Sequence, residues 1–297
     1  MAAIDELSED RVVEGVYAVS RKQKLRTRAG APYLALELVD KSGRIDARVW
    51  SDVDLLDARF GEGDAVRVLG RVERFRDALQ LEVRSLEAAE VDPESLAPAA
   101  RRDLDELDGF FDFLVGEIAH PELKATVARF ARDATVRARL RALPGVPDGH
   151  HGFAGGLLEH TVGVATICRE TAQLHNRLRG DLLLAAALLH DVGRTVELGA
   201  GPVFRPTEEG RLLGHVHLGL RMIEQRAAGL DADVRTQLLH AVAVHHDARA
   251  GRTAEAAVLY HANQLDAVAA TRPAAERPVR EGERVDGVRG NAEVPAR

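Results

Sequence analysis

Across its 297 residues the chain has one cysteine, only four lysines, and no histidine before position 120. Cys168 alone cannot build a disulfide framework, and a lone thiol fits a reducing compartment. No stretch approaches the roughly 18 uncharged apolar residues that a membrane span needs. The first ten residues are acidic without an apolar run, so no secretion signal is expected. The resulting expectation is a cytoplasmic protein that does not engage a membrane. A net charge of −7 argues against indiscriminate coating of nucleic acid, although local charge matters more than the sum. Hydrophobic content of 45% with 29% charged residues is globular, and the length suggests two domains with a core each.

All 12 histidines lie at or beyond His120, so two parts with different chemistry are expected. The first part reads as five short strands over residues 11–88. Leu34, Leu36 and Leu38 alternate with Tyr33, Ala35 and Glu37, and Ile45, Ala47 and Val49 alternate with Arg44, Asp46, Arg48 and Trp50. A turn at Asp40–Gly43 separates these two strands, a short helix around Asp52–Phe60 follows them, and Ala65–Val72 and Ala78–Leu86 complete the set. Five strands with a helix between the third and fourth is the order of an OB-fold barrel. Such barrels bind single strands on the outer face of strands two and three and adjoining loops. Here those places carry Tyr33, Arg48 and Trp50, together with the basic residues Lys22, Lys24, Arg26 and Arg28. Two plainer readings stand beside this one: the basic run is a solvated loop, and the two aromatics pack against the second domain.

From Glu90 to about Arg102 the composition shifts to Ala, Pro and acidic residues, a connector. Helical periodicity then begins with the stripe Leu104, Leu107, Phe110, Phe111, Leu114 and Ile118, and helical patterning continues to Ala270. Beyond Thr271 the chain is rich in Pro, Arg, Glu and Gly without periodicity, so disorder is expected there. The division is therefore a barrel over 8–90, a connector over 91–103, an all-α bundle over 104–270 and a tail over 271–297.

Within the helical part, His190-Asp191 ends the apolar run Leu182–Leu189. Burying an imidazole and a carboxylate together costs several kcal/mol unless they are paired or hold a metal. His160, His215, His245-His246 and the pair Asn263 and Asp266 fall on other helices, each candidate near a helix end or a glycine. Ligands for a metal in a bundle core come from separate helices in this way. Mixed imidazole and carboxylate ligands suit Mn, Fe, Zn or Ni better than Ca or an all-oxygen Mg site. Two such ions activate water at neutral pH and neutralise charge on a phosphoryl oxygen.

The order His160, His190-Asp191 and then a late acidic or amide position resembles the HD-domain metal-dependent phosphohydrolases; His215 and His245 extend the likeness to their two-metal subgroup. Further matching segments are His150-His151, Gly155–Thr161, His190–Arg194 and Thr207–His215. Preceded by an OB-fold, the pattern is similar to the bacterial 3′-to-5′ exoribonucleases of the YhaM family over residues 11–270. The resemblance implies that His160, His190, Asp191, His215 and His245 ligate two divalent ions, Mn²⁺ first among Fe, Mg, Zn, Ni and Co, with Asp191 bridging. It implies that His150 and His151 lie close to the site, with a general-acid or phosphate-contact role and a loop-packing role both open; that His246 is a ligand, a proton donor or a surface residue; and that Arg194 steadies phosphate. Lys is the family's residue at position 194, and Asp its residue at position 263, where this chain has Asn; Asp266 lies one turn later on the same face. The implied activity is a phosphodiesterase that trims single-stranded RNA, or DNA, from the 3′ end to nucleoside monophosphates. Two alternatives remain open: a phosphohydrolase of small or cyclic nucleotides, and a nucleic-acid-binding protein whose HD site is degenerate at Asn263.

Overall fold

The computed structural model describes residues 2–91, 93–96, 100, 102–147, 149–199 and 203–271. The tail expected to be disordered lies, from residue 272 onward, outside the described residues. Strands β1 (Val12–Arg26), β2 (Pro32–Asp40) and β3 (Gly43–Val49) are followed by the short helix α1 (Val53–Asp57) and by β4 (Ala65–Phe75) and β5 (Ala78–Ala88). They close into a barrel in the order β1-β2-β3-β5-β4, with β4 returning to β1 and only β3–β5 parallel. This is the expected OB-fold arrangement. Its interior follows from the alternation: Leu34 faces Val49, Leu36 faces Ala47 and Leu38 faces Ile45, all buried with Val68, Val72 and Leu81.

The basic run is not a loop. Arg21 to Arg26 lie on β1, paired residue by residue with β2 after an irregularity between Val19 and Arg21. Strand pairing satisfies the backbone of this segment while the charged side chains leave on the outer surface. Lys22 goes elsewhere. Its ammonium donates to the carbonyls of Asp57 and Phe60 at 2.5 and 2.6 Å and pairs with the Asp57 carboxylate at 2.9 Å. Those carbonyls end α1, where helical partners run out, so this cation closes the barrel's helix.

The second part holds α2 (Leu104–Glu117), α3 (Pro121–Ala131), α4 (Ala134–Ala142), α5 (Gly156–Leu174), α6 (Gly180–Leu189), α7 (Arg194–Glu197), α8 (Glu208–Arg226), α9 (Ala232–Ala243) and α10 (Ala254–Thr271). Every residue of Leu182–Leu189 is buried, so α6 forms the axis of the bundle and α5, α9 and α10 pack around it. The stripe on α2 is narrower than expected: Phe111 is buried, whereas Phe110 is 44% exposed. Adjacent helical residues differ by about 100° in direction, and only one of the pair can face the core. No helix among the described residues is long and apolar enough to cross a membrane. An Arg205–Glu62 ion pair joins the two parts, and a cavity of about 370 Å³ lies between the Ser20, Arg21 and Glu37 side of the barrel and the loops at Pro147 and Phe204.

Candidate metal centre

The histidines that converge on Asp191 are held through their Nδ1 atoms, which leaves Nε2 to face inward. His190, at the end of α6, donates from Nδ1 to the Ala187 carbonyl at 2.7 Å; His245, just past α9, does the same to Val242 at 2.6 Å. His160 on α5 places Nδ1 2.6 Å from Asp266 Oδ2, and His215 on α8 places Nδ1 3.4 Å from Glu197 Oε1. A hydrogen bond at one ring nitrogen fixes the tautomer and presents the other nitrogen's lone pair, as metal-ligating histidines require.

Two groups result. His160 and His190 each place Nε2 3.8 Å from Asp191 Oδ2, and their own Nε2 atoms are 3.2 Å apart. On the other side His215 and His245 place Nε2 3.3 and 3.4 Å from Asp191 Oδ1, and His246 Nε2 lies 2.9 Å from that of His215. Each group is compact enough to hold one metal ion, and Asp191 belongs to both. Asp191 Oδ1 and His245 Nε2 are buried without a hydrogen-bond partner. Buried polar atoms are rarely orphaned, and a cation between them satisfies both at once. The residues therefore fit a bound metal cation.

Local structure explains the convergence. A Cβ on Gly193 would lie 1.9 Å from the His215 carbonyl oxygen, so α8 reaches α7 only because position 193 has no side chain. Gly214, at φ 69° and ψ 159°, breaks α8 into two segments and turns His215 toward Asp191. Burial would push the Asp191 carboxyl up, but the Arg194 guanidinium and the surrounding imidazoles outweigh it and hold the group well below the usual carboxylate range. His190, fully enclosed, is driven well below the ordinary imidazole value by burial. Both groups thus stand in the forms that bind a cation.

Several residues are placed differently from the sequence reading. Arg194, expected to steady phosphate, is buried, with Nε donating to Asp191 Oδ2 at 2.7 Å and Nη1 to Glu197 Oε2 at 3.3 Å. Asp266 stands behind the imidazoles, accepting from His151 Nε2 at 2.9 Å as well as bonding His160. Asn263 is buried on α10 with Nδ2 donating to the His245 carbonyl at 3.4 Å. His150 and His151 flank the site, the His150 ring 5.0 Å from that of His160, and burial lowers His150 to about 4. Burial likewise lowers His246 to about 4. Sequence reasoning missed Glu197, whose Oε1 also accepts from the His215 backbone N–H at 3.1 Å. Its spacing of three residues from Arg194 was the available signal.

On the barrel, Tyr33 and Trp50 stack with ring centroids 4.8 Å apart, and Trp50 is 48% exposed. The aromatics therefore pack on each other. Lys24 pairs with Asp54 at 2.7 Å and Asp57 at 3.4 Å, Arg26 donates to the Gly30 carbonyl at 2.9 Å, and Arg48 to that of Ala47 at 2.9 Å. Arg28 is exposed.

Comparison with known proteins adds two family matches: an HD domain over residues 157–268 and an OB-fold nucleic acid binding domain over residues 18–89. Among curated relatives, the 3′-5′ exoribonuclease YhaM of Bacillus velezensis is 29% identical over 254 residues, covering 80% of this chain and 79% of its own. The Bacillus subtilis protein of the same name is 29% identical over 251 residues with the same coverage. A solution structure of the second OB-fold domain of replication protein A from Methanococcus maripaludis matches 31% of this chain and 96% of its own, at 23% identity and a TM-score of 0.25.

Proposed function

We propose, for a chain that carries an OB-fold nucleic acid binding domain ahead of an HD domain, that it is a metal-dependent exoribonuclease. It hydrolyses single-stranded RNA from the 3′ end and releases nucleoside monophosphates, in the cytoplasm. The observation that carries the reading is Asp191, one oxygen facing His160 and His190 and the other facing His215 and His245. A carboxylate shared between two imidazole groups is the donor set for a pair of ions. The curated relatives named as 3′-5′ exoribonucleases, matched across both domains, give the substrate and direction.

The metal is a pair of divalent ions, Mn²⁺ first by its tolerance of mixed nitrogen and oxygen ligands. When bound they supply Lewis acidity, activating water and neutralising charge on the phosphoryl oxygens. The chain's own residues do the rest. Asp266 and Glu197 fix the rings of His160 and His215, and Arg194 orients Asp191 and balances its charge. His246, neutral near pH 7, and His151 stand beside the site as hydrogen-bonding groups for the scissile phosphate and leaving oxygen. Tyr33 and Trp50 offer a ring face to a base, with Arg28 and the basic side chains of β1 near the backbone.

The test is a 5′-labelled single-stranded RNA incubated with the protein and Mn²⁺. Shortening from the 3′ end, stopped by a chelator and lost in His190→Ala, is expected. Internal cuts, or shortening that persists in His190→Ala, would overturn the reading.

A further inference from the structure

A cavity of about 840 Å³ opens beside His150 and His151, and both domains wall it. The turn between β2 and β3 contributes Lys41 and Ser42; the helical part contributes Phe153 and Glu159. This barrel surface is separate from the Tyr33–Trp50 stack, and it faces His150 and His151 beside the metal centre.

The chemistry of the wall matches the three parts of a nucleotide. Lys41 is exposed, and its ammonium makes no ion pair among the described residues, so it is available to a phosphate. Phe153, whose ring lies 5.9 Å from that of His151, offers an apolar surface to a base. Glu159 is the informative group. It is half-buried in the first turn of α5, and its carboxylate has no hydrogen bond or ion pair among the described residues. Nothing among the described residues uses its acceptor oxygens. It shares the cavity with His150 and His151, and the His150 ring lies 5.0 Å from that of His160 in the metal centre, so a ligand held by Glu159 lies on the side of the cavity that borders that centre.

We propose that this cavity seats the 3′-terminal nucleotide of the strand and that Glu159 accepts hydrogen bonds from its ribose hydroxyls. The proposal rests on the exoribonuclease reading for its substrate. A carboxylate can accept from both hydroxyls of a ribose end, whereas a 2′-deoxy end offers one donor fewer. Charge-assisted hydrogen bonds are among the stronger ones, so losing one costs about tenfold or more. Discrimination between RNA and DNA would then be made at the terminal sugar rather than along the barrel, where stacking treats both strands alike.

Two measurements decide it. The first compares release of the first nucleotide from two 5′-labelled RNA oligomers that differ only in a single 2′-deoxy sugar at the 3′ end. The wild-type protein should favour the ribose end by about tenfold, Glu159→Ala should bring the ratio near one, and Asp5→Ala, a carboxylate lost from the same cavity, should keep it. The second measures binding of adenosine 5′-monophosphate and its 2′-deoxy form to the full chain by calorimetry. The same ratio should appear and vanish with Glu159→Ala, while Lys41→Ala should weaken both ligands equally. Thermal unfolding checks that the variants fold, and Glu159→Gln replaces Glu159→Ala if the latter does not. Equal handling of the two sugars by the wild-type protein, or discrimination that survives loss of Glu159, would overturn the proposal. If no strand is shortened the exoribonuclease reading fails, but the binding ratio still decides what the cavity recognises.

Discussion

An imidazole offers a metal only one nitrogen at a time, so the residue behind each ring matters as much as the ring. Here Ala187, Val242, Asp266 and Glu197 provide that backing, two through carbonyls and two through carboxylates. Asn263 is the exception in charge. As an amide it is tolerated in the core with a single bond to the His245 carbonyl, at no ionic cost. Asn263→Asp should lower the unfolding temperature of metal-free protein by several degrees, since a buried carboxylate without a cation costs on the order of 1–3 kcal/mol. Saturating Mn²⁺ should close the gap, because a ligand bound only by the folded state stabilises it. Thermal unfolding with chelator and with Mn²⁺ reads both effects, and a gap unchanged by metal would show that position 263 lies apart from the ions. His190 and Asp191 stood out in the sequence because a polar pair closes a wholly apolar helix, and the structure places both among the converging imidazoles. Glu197 left only a faint trace, its three-residue spacing from Arg194, because an exposed-looking Glu in a short segment gives no periodic signal.

Helices place these residues, and their ends carry the precision. Asp133 caps α4 by accepting from the Thr135 and Val136 N–H groups at 3.0 and 3.2 Å, and it pairs with Arg226 on α8 at 2.7 Å. In turn α4 sends Arg139 to the Thr195 carbonyl at 3.0 Å, bracing the α7 segment that holds Arg194 and Glu197. Asp133→Ala should cost about 1–2 kcal/mol, the usual penalty for losing an N-cap. The Val136 N–H, followed by Arg226, lowers the Asp133 pKa below the ordinary carboxylate value. A depressed folded value means that the contribution is whole above the unfolded carboxylate range and fades as pH falls through the folded value. Urea unfolding should therefore show the full difference from wild type near pH 7 and a smaller one near pH 3; a constant difference would remove the charge from the account. Sequence periodicity anticipated these helices, and the short α7 and the break at Gly214 were the parts it passed over. Both depend on backbone approach between segments, which a one-dimensional pattern does not carry.

For the whole molecule, the proposed function asks how a strand held on the barrel would reach the metal centre. The barrel touches the helical part through Arg205 and Glu62, and its β2–β3 turn reaches the cavity at His150 and His151. Under the proposed function the Tyr33–Trp50 stack is a holding point for the strand, outside the cavity at His150 and His151. Base stacking on an aromatic side chain is worth about 1–3 kcal/mol, so Trp50→Ala should raise KM for a long single strand by roughly tenfold. kcat should change little, and a dinucleotide, too short to span both places, should be processed as by the wild type. Steady-state kinetics on the two lengths gives the answer. An equal loss on both would place Trp50 in the fold rather than on the strand's path. Raising salt should weaken the long strand in particular, since phosphate contacts release counterions.

The order of strands and helices, the all-apolar α6 and the set of histidines were determined by sequence alone, because alternation, helical period and residue chemistry are properties of neighbours along the chain. Tertiary structure decided what each charged group does. Lys22 turned inward because the end of α1 left carbonyls unpaired beside it, and Arg194 sank into the core because Asp191 and Glu197 were already there to receive it. Asp266 was drawn to His151 and His160. A charge settles where folding brings its partners, and those partners lie from three to more than a hundred residues away in sequence.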